Sequence, residues 1–346
     1  MKIRRIAAIL LACTLLTAAG CGNKQEESSG TAPTPATTAG TQQTAAETEP
    51  AEPATEAVST VHNPLTGETG YNQDAVGKRP IAVMVNTVKP SLPQYGVAAA
   101  DIIYEIPVEG GITRLMAVYA DYTNLPDICS VRSCRYYYPI LAYGMDAIYC
   151  HWGCDQTIAK DTLERLGIDR MDGGGIANKV IFFRDPDRVG KYNTEHTGYL
   201  KGDAVPDAID QFGFRTDTTA EDAFRFLDPE KPEKPDGESC ETVNAAFSDQ
   251  YFSTFTYDVS SETYLKQHSG KPHMDQKADK QLAFTNVILL QTDIHTRPDG
   301  YLMDVALKGG TGYYISLGEA QEIKWTKDAE DQPIRLFDQS GKELSV

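Results

Sequence analysis

IAVMVNTVKPSLPQYGVAAADIIYEIPVEGGITRLMAVYA, residues 81–120, holds three apolar runs separated by turn-forming residues. Ile81 to Asn86, Asp101 to Ile106 and Ile112 to Ala120 read as strands. Working outward, Ala147 to Trp152 and Val180 to Phe183 read as further strands. Tyr136 to Tyr143, Gln156 to Leu166 and Gly198 to Phe214 read as helices, the second with Ile158, Leu163 and Leu166 at helical spacing. Strand-like runs alternating with helix-like ones predict an α/β or α+β domain over residues 61–227.

After Thr216 the chain turns polar and proline-bearing, and Lys231-Pro232-Glu233-Lys234-Pro235-Asp236-Gly237 marks a linker over residues 228–240. Beyond it, Val243 to Tyr257, Leu282 to Thr292, Tyr301 to Leu307 and Gly312 to Leu317 carry β-branched and aromatic residues. Pro298-Asp299-Gly300 reads as a hairpin turn between two strands. A mainly antiparallel β domain is therefore expected over residues 241–346.

The chain begins with a positive stretch, Lys2, Arg4 and Arg5, followed by an apolar run from Ile6 to Leu16. That run is too short to span a bilayer, which needs about twenty apolar residues. Ala18-Ala19-Gly20-Cys21 then resembles a lipobox, although Ala18 stands where leucine is usual. Residues 1–20 are thus expected to be a lipoprotein signal peptide with Cys21 as the lipidated N-terminus. Cys13 follows a box-like Leu10-Leu11-Ala12, but cleavage there would leave a very short apolar region. Two acyl chains on Cys21 would hold the protein stably on the extracytoplasmic face of the plasma membrane. Residues 22–60 have no aromatic side chain and one large aliphatic, Val58. Such a segment cannot offset its ordering entropy and is expected to be a disordered tether reaching roughly 35 Å.

The net charge of −17 argues against nucleic-acid binding and against adhesion to anionic lipid, both of which need a basic face. Small ligands, glycans or protein partners of the cell envelope remain compatible. No Gly-x-Ser-x-Gly, His-Glu-x-x-His or Walker-type loop is present, Gly173-Gly174-Gly175 lacks a nucleotide-binding setting, and no cofactor is expected.

Asn63-Pro64-Leu65-Thr66-Gly67, Ile81 to Asn86, Ala100 to Glu105, Glu109 to Arg114 and Val131-Arg132-Ser133-Cys134-Arg135 resemble blocks of the YerB-like lipoprotein family, whose function is not assigned. Trp325 and the hairpin from Gly309-Gly310 to Gly318 resemble its C-terminal domain. The resemblance implies a membrane-anchored protein of two domains and supplies no reaction. Where the family usually reads Gly-Pro-Val-Arg-Ser-Ala-Arg, this chain has Cys129 to Arg135 with two cysteines. The family also tends to continue past the final hairpin into another strand, so a last strand could be missing here.

Arg132, Ser133 and Arg135 precede the Tyr136-Tyr137-Tyr138 helix start, a setting suited to an anion, and Arg114 lies at a neighbouring strand start. Glu105 and Glu109 flank the Pro107–Gly111 turn, which could bring them together with Arg114 and divide them into acid and base. His151 ends a strand and His196 precedes a helix, so either could be a general base. One cleft is expected to collect these segments. Cys129, Cys134, Cys150 and Cys154 could form a disulfide, a metal site or remain thiols, and Cys240 is expected to be unpaired. Two functions follow: a lipoprotein that binds an anionic or glycan ligand while its β domain docks a partner, or an envelope hydrolase or transferase. In the second, Glu105 or Glu109 with His151 moves protons while Arg132 and Arg135 hold substrate.

Overall fold

Each of the three apolar runs is a strand because both faces of the sheet they build are covered. In the computed structural model, which describes residues 7–13 as backbone and 61–346 in full, the N-terminal elements are β1 (Ala7–Cys13), β2 (Ile81–Asn86), β3 (Ile102–Pro107), β4 (Thr113–Tyr119), α1 (Tyr137–Gly144), β5 (Ile148–His151), α2 (Ile158–Leu166), β6 (Arg170–Asp172) and α3 (Val205–Phe212). Every residue of β2, β3 and β4 is buried, which explains why they read as continuous apolar runs rather than alternating ones. Cys21, the rest of the signal segment and the tether lie outside the described residues.

β3 and β4 form an antiparallel pair whose turn places Gly110 and Gly111 at φ 71° and 70°, a left-handed conformation that glycine adopts without a Cβ clash. β2 lies antiparallel to β4 and parallel to β5, and β5 lies parallel to β6. On one face, Tyr137, Tyr138 and Leu141 of α1 pack with Ala159 and Leu163 of α2 over Ala82, Met84, Tyr104 and Met116. On the other, Val205, Ala208 and Ile209 of α3 join Val83, Val85, Ile103 and Leu115.

The C-terminal half contributes β7 (Thr242–Ala246), β8 (Phe252–Asp258), β9 (Thr263–His268), β10 (Asn286–Thr292), β11 (Gly309–Ser316) and β12 (Glu319–Thr326), all in antiparallel pairings. β10, β11 and β12 extend the N-terminal sheet. Its order is Glu238–Ser239, β12, β11, β10, β1, β3, β4, β2, β5, β6, with Arg335–Phe337 also on β12. β1 runs antiparallel to both of its neighbours, from Ala7↔Thr292 to Cys13↔Asn286 on β10 and from Leu10↔Glu105 to Cys13↔Ile102 on β3. β7, β8 and β9 form a separate small sheet whose Val243, Ala245, Phe255 and Tyr264 enter the second core. The mixed sheet in the N-terminal half and the antiparallel C-terminal half agree with the sequence reading.

Two segments depart from expectation. Gly198 to Phe214 is not one helix: Gly198–Leu200 is a strand paired with Phe182–Arg184 and Ile128–Cys129, and only Val205–Phe212 is helical. The cause is close packing. A Cβ on Gly198 would lie 2.7 Å from the Trp152 ring and one on Gly202 2.0 Å from the Leu125 carbonyl, so these positions are fixed by neighbours distant in sequence. The linker also ends docked, with Glu238 and Ser239 paired to Ala320 and Glu319.

Candidate functional site

The parallel strands β2 and β5 part at their carboxyl ends, and residues 130–134 fill the gap. Asn86 N–H donates to the Ser130 carbonyl (3.0 Å), Arg132 N–H to Met84 (3.0 Å), Trp152 N–H to Arg132 (3.1 Å) and Cys134 N–H to Gly153 (3.0 Å). Open sheets place ligands outside the carboxyl ends of parallel strands, and this segment carries Arg132 there, with Arg135 directly after it.

Arg114, opposite Asn86 in the β2–β4 register, joins them. Arg135 grips Glu109 through Nε (2.8 Å to Oε2) and a short Nη2 contact to Oε1, and Arg114 Nη2 reaches the same Oε1 at 3.4 Å. Arg114 Nη1 also donates to the Ser133 carbonyl at 2.7 Å. Burial alone would raise the Glu109 carboxyl, but the Arg135 hydrogen bonds and the Arg114 charge bring it below its ordinary value. Arg114 is depressed by burial and then by the charges of Arg135 and Arg132. Two guanidinium groups thus share one carboxylate, and the charge of a third, Arg132, is close enough to act on Arg114. The Arg132 side chain has no ion pair or hydrogen bond among the described residues. His196 stands close by, its Nδ1 accepting from the Asn86 amide at 3.1 Å. Burial, with help from Arg132 and Arg188, pushes that imidazole down, which keeps it neutral.

Glu105 does not belong to this group. Thr113 and Arg114 are consecutive on β4 and point to opposite faces, so the two glutamates they bind are separated by the sheet. Glu105 is fully buried and accepts from Thr113 (2.8 Å) and Ser253 (2.7 Å), with Lys266 Nζ at 3.0 Å and His268 Nδ1 at 4.0 Å. Burial would raise it, but Lys266, His268 and the two hydroxyls lower it on balance. It is an ion-paired carboxylate, and the expected meeting of Glu105 with Glu109 and Arg114 is corrected to Glu109 and Arg114 alone. His151 is likewise apart from both glutamates. Its Nδ1 faces the Gly153 carbonyl (3.0 Å) and Asp172 (3.9 Å), it rests on Tyr149, and burial lowers its basicity.

A family model described as "Protein of unknown function (DUF3048) N-terminal domain" matches residues 65–215, and the corresponding C-terminal domain model matches residues 243–346. The chain belongs to the DUF3048 family. A relative from Bacillus subtilis (strain 168), described as "Putative lipoprotein YerB", is 28% identical over 271 residues, which cover 76% of this chain and 77% of the relative. The crystal structure of YerB protein from Bacillus subtilis superposes with a TM-score of 0.69 at 27% identity, covering 82% of this chain and 92% of that one. The resemblance read from the sequence blocks is therefore shown.

Against the family's Gly-Pro-Val-Arg-Ser-Ala-Arg pattern, the cysteines of this DUF3048 member are distributed unevenly. All five described cysteines are free. Cys134 and Cys154 sit opposite each other in a parallel bridge with their thiols hydrogen-bonded, which lowers the Cys154 thiol, while burial raises Cys134. Cys150 lies in the core on the other face, and Cys129 beside Tyr95 is pushed up by burial to about 12. The four thiols do not converge as a metal site would require. The sequence reading overlooked Lys266, His268, Ser253, His273 and Gln94. Part of the signal was present: Tyr264, Lys266 and His268 alternate along β9, so a buried tyrosine places both basic residues on the buried face.

Proposed function

We propose that the protein is a membrane-anchored, extracytoplasmic lipoprotein that binds an anionic ligand of the cell envelope at the carboxyl ends of β2 and β5. Arg132 carries the reading: its guanidinium has no partner among the described residues and stands beside two arginines that already share Glu109. A surplus of fixed positive charge, in a chain of net charge −17, is what an anion would complete. Ser133, Asn86 and His196 supply polar groups around it. The anchor rests on the lipobox-like Ala18 to Cys21 and on the likeness to a Bacillus protein described as a lipoprotein. Cys21 would carry the lipid and the first twenty residues would be removed. Among the described residues, no helix is long and apolar enough to cross a bilayer.

The hydrolase or transferase reading has lost its geometry, because Glu105 is held by Lys266 on the opposite face and His151 touches neither glutamate. The test is a binding screen of phosphorylated and carboxylated envelope glycans against the processed chain. Arg132→Ala should weaken the best binder by about 1.5–3 kcal/mol, the range for a charge-assisted hydrogen bond, and Arg132→Lys should restore only part of it. Equal binding by Arg132→Ala and the parent would sink the proposal.

A further inference from the structure

Residues 130–134 bridge the exits of β2 and β5, and the last of them meets the chain leaving β5 with a cysteine on each side. Cys134 lies opposite Cys154 in a parallel bridge, its N–H donating to the Gly153 carbonyl at 3.0 Å. Paired residues on neighbouring chains, about 4.8 Å apart, point to the same face, and here the two thiols are hydrogen-bonded to each other. That spacing lies within the Cα separation a disulfide needs, so the dithiol and the disulfide both suit this backbone.

The two sulfurs are not equivalent. Cys134 is fully buried, whereas Cys154 is partly exposed a few residues before α2. Cys134 donates its S–H to Cys154, which lowers the Cys154 thiol despite its burial and the nearby Asp172 and Asp155 carboxylates, while burial raises Cys134. The thiolate is the nucleophile. Cys154 is therefore the sulfur that an outside reagent meets, and Cys134 acts only on Cys154. The buried Tyr149 hydroxyl stands at Cys134, makes no other hydrogen bond among the described residues, and is placed to donate to a Cys134 thiolate. Cys129 and Cys150 differ on both counts, being buried with thiols that burial raises.

We propose that Cys154 and Cys134 form a thiol–disulfide exchange site for low-molecular-weight disulfides, with Cys154 as the attacking sulfur and Cys134 as the resolving one. The Cys154 thiolate attacks one sulfur of the small disulfide, forming a mixed disulfide and expelling one thiolate. Cys134 then gives up its proton and attacks the Cys154 sulfur, forming the internal disulfide and expelling the second thiolate. Two protein thiols are oxidised, one small disulfide is reduced to two thiols, and the two protons end on those thiols. The oxidised form ties the segment that carries Arg132 to the chain leaving β5. The exchange itself is independent of the anion reading, since it uses different side chains.

The test is to incubate the processed chain carrying Cys240→Ser, which removes the other partly exposed thiol, with oxidised glutathione and to map its peptides by mass spectrometry. A Cys134–Cys154 link with no lasting glutathione on either residue is expected, and excess dithiothreitol should return both thiols. Adding Cys134→Ser keeps a hydrogen-bond donor in place but removes the resolving sulfur, so glutathione should accumulate on Cys154. Adding Cys154→Ser should abolish both products. Without either change, iodoacetamide should alkylate Cys154 of the reduced chain about tenfold or more faster than Cys134, Cys129 or Cys150. The proposal is overturned if the chain stays reduced in excess oxidised glutathione, if glutathione remains on Cys154 while Cys134 stays free, or if Cys134 is alkylated ahead of Cys154.

Discussion

Arg135 commits its guanidinium fork to Glu109, whereas Arg132, three positions earlier, commits its own to nothing among the described residues. Their substitutions should separate accordingly. Arg135→Ala leaves a buried carboxylate with only the longer Arg114 contact and should destabilise the fold by about 3 kcal/mol, the scale of breaking a buried pair from one side. Arg132→Ala should stay within about 0.5 kcal/mol. Urea denaturation of both variants checks this, and a large loss for Arg132→Ala would mark it as structural. Both arginines were legible in the sequence as a cluster, but their division of roles was not, because Glu109 and Arg114 reach them through a turn and a strand pairing. The cysteines show the same limit. Four clustered cysteines allow six different single links, and the backbone bridge between Cys134 and Cys154 selects one. Neighbouring chains in such a bridge run about 4.8 Å apart, inside the Cα separation a disulfide requires. Diamide, a two-electron oxidant that takes up both thiol protons, should link Cys134 to Cys154 and spare Cys129 and Cys150. Peptide mapping that found a Cys129–Cys150 link would contradict the geometry.

Elements whose burial is uniform or regular were legible, and those shaped by a distant neighbour were not. β2, β3 and β4 were read from their apolar content, and β9 announces its buried face by alternation, yet its Lys266 and His268 acquire meaning only when Glu105 arrives from β3. The turn at Asn63–Gly67 is similar. It packs at the end of β3, where Asn63 donates to Asp101 at 2.7 Å, and brings Glu68 beside that carboxylate. Burial first, and then the Asp101 charge, raises Glu68 to about 7. Asp101, also raised by burial, reaches about 6 despite hydrogen bonds from Ala120 and Asn63. The folded chain therefore keeps protons that the unfolded chain releases near ordinary carboxylate values. By linkage, the stability these groups allow is complete below the unfolded values and is lost as pH rises through the folded ones. Glu68→Gln should thus match the parent near pH 4.5 and exceed its melting temperature above pH 7. A difference between the two chains that is the same at both ends of that range would show that Glu68 is not the group responsible.

The large sheet joins the two halves of the molecule through β1, and the sequence could not disclose this, because the same seven residues read as the apolar centre of a signal peptide. Processing at Cys21, as proposed above, removes β1. β3 and β10 would then face each other across one vacant strand position, about 9–10 Å apart, too far for direct backbone hydrogen bonds. Each remains paired on its other side, β3 with β4 and β10 with β11. Successive amides along a strand point to opposite neighbours, so the consequence alternates: amides directed at the vacancy lose their acceptors while those directed at β4 and β11 keep them. Hydrogen exchange should therefore find every second amide of β3 and β10 fast in a chain beginning at Cys21 and slow in an unprocessed Cys21→Ala chain. A peptide with the sequence of Ala7–Cys13, added in excess, should slow the same amides, because its backbone offers the register that β1 fills. Uniform protection along β3 and β10 in the processed chain would show that the two strands have closed on each other or taken another segment between them, and that the slot does not persist.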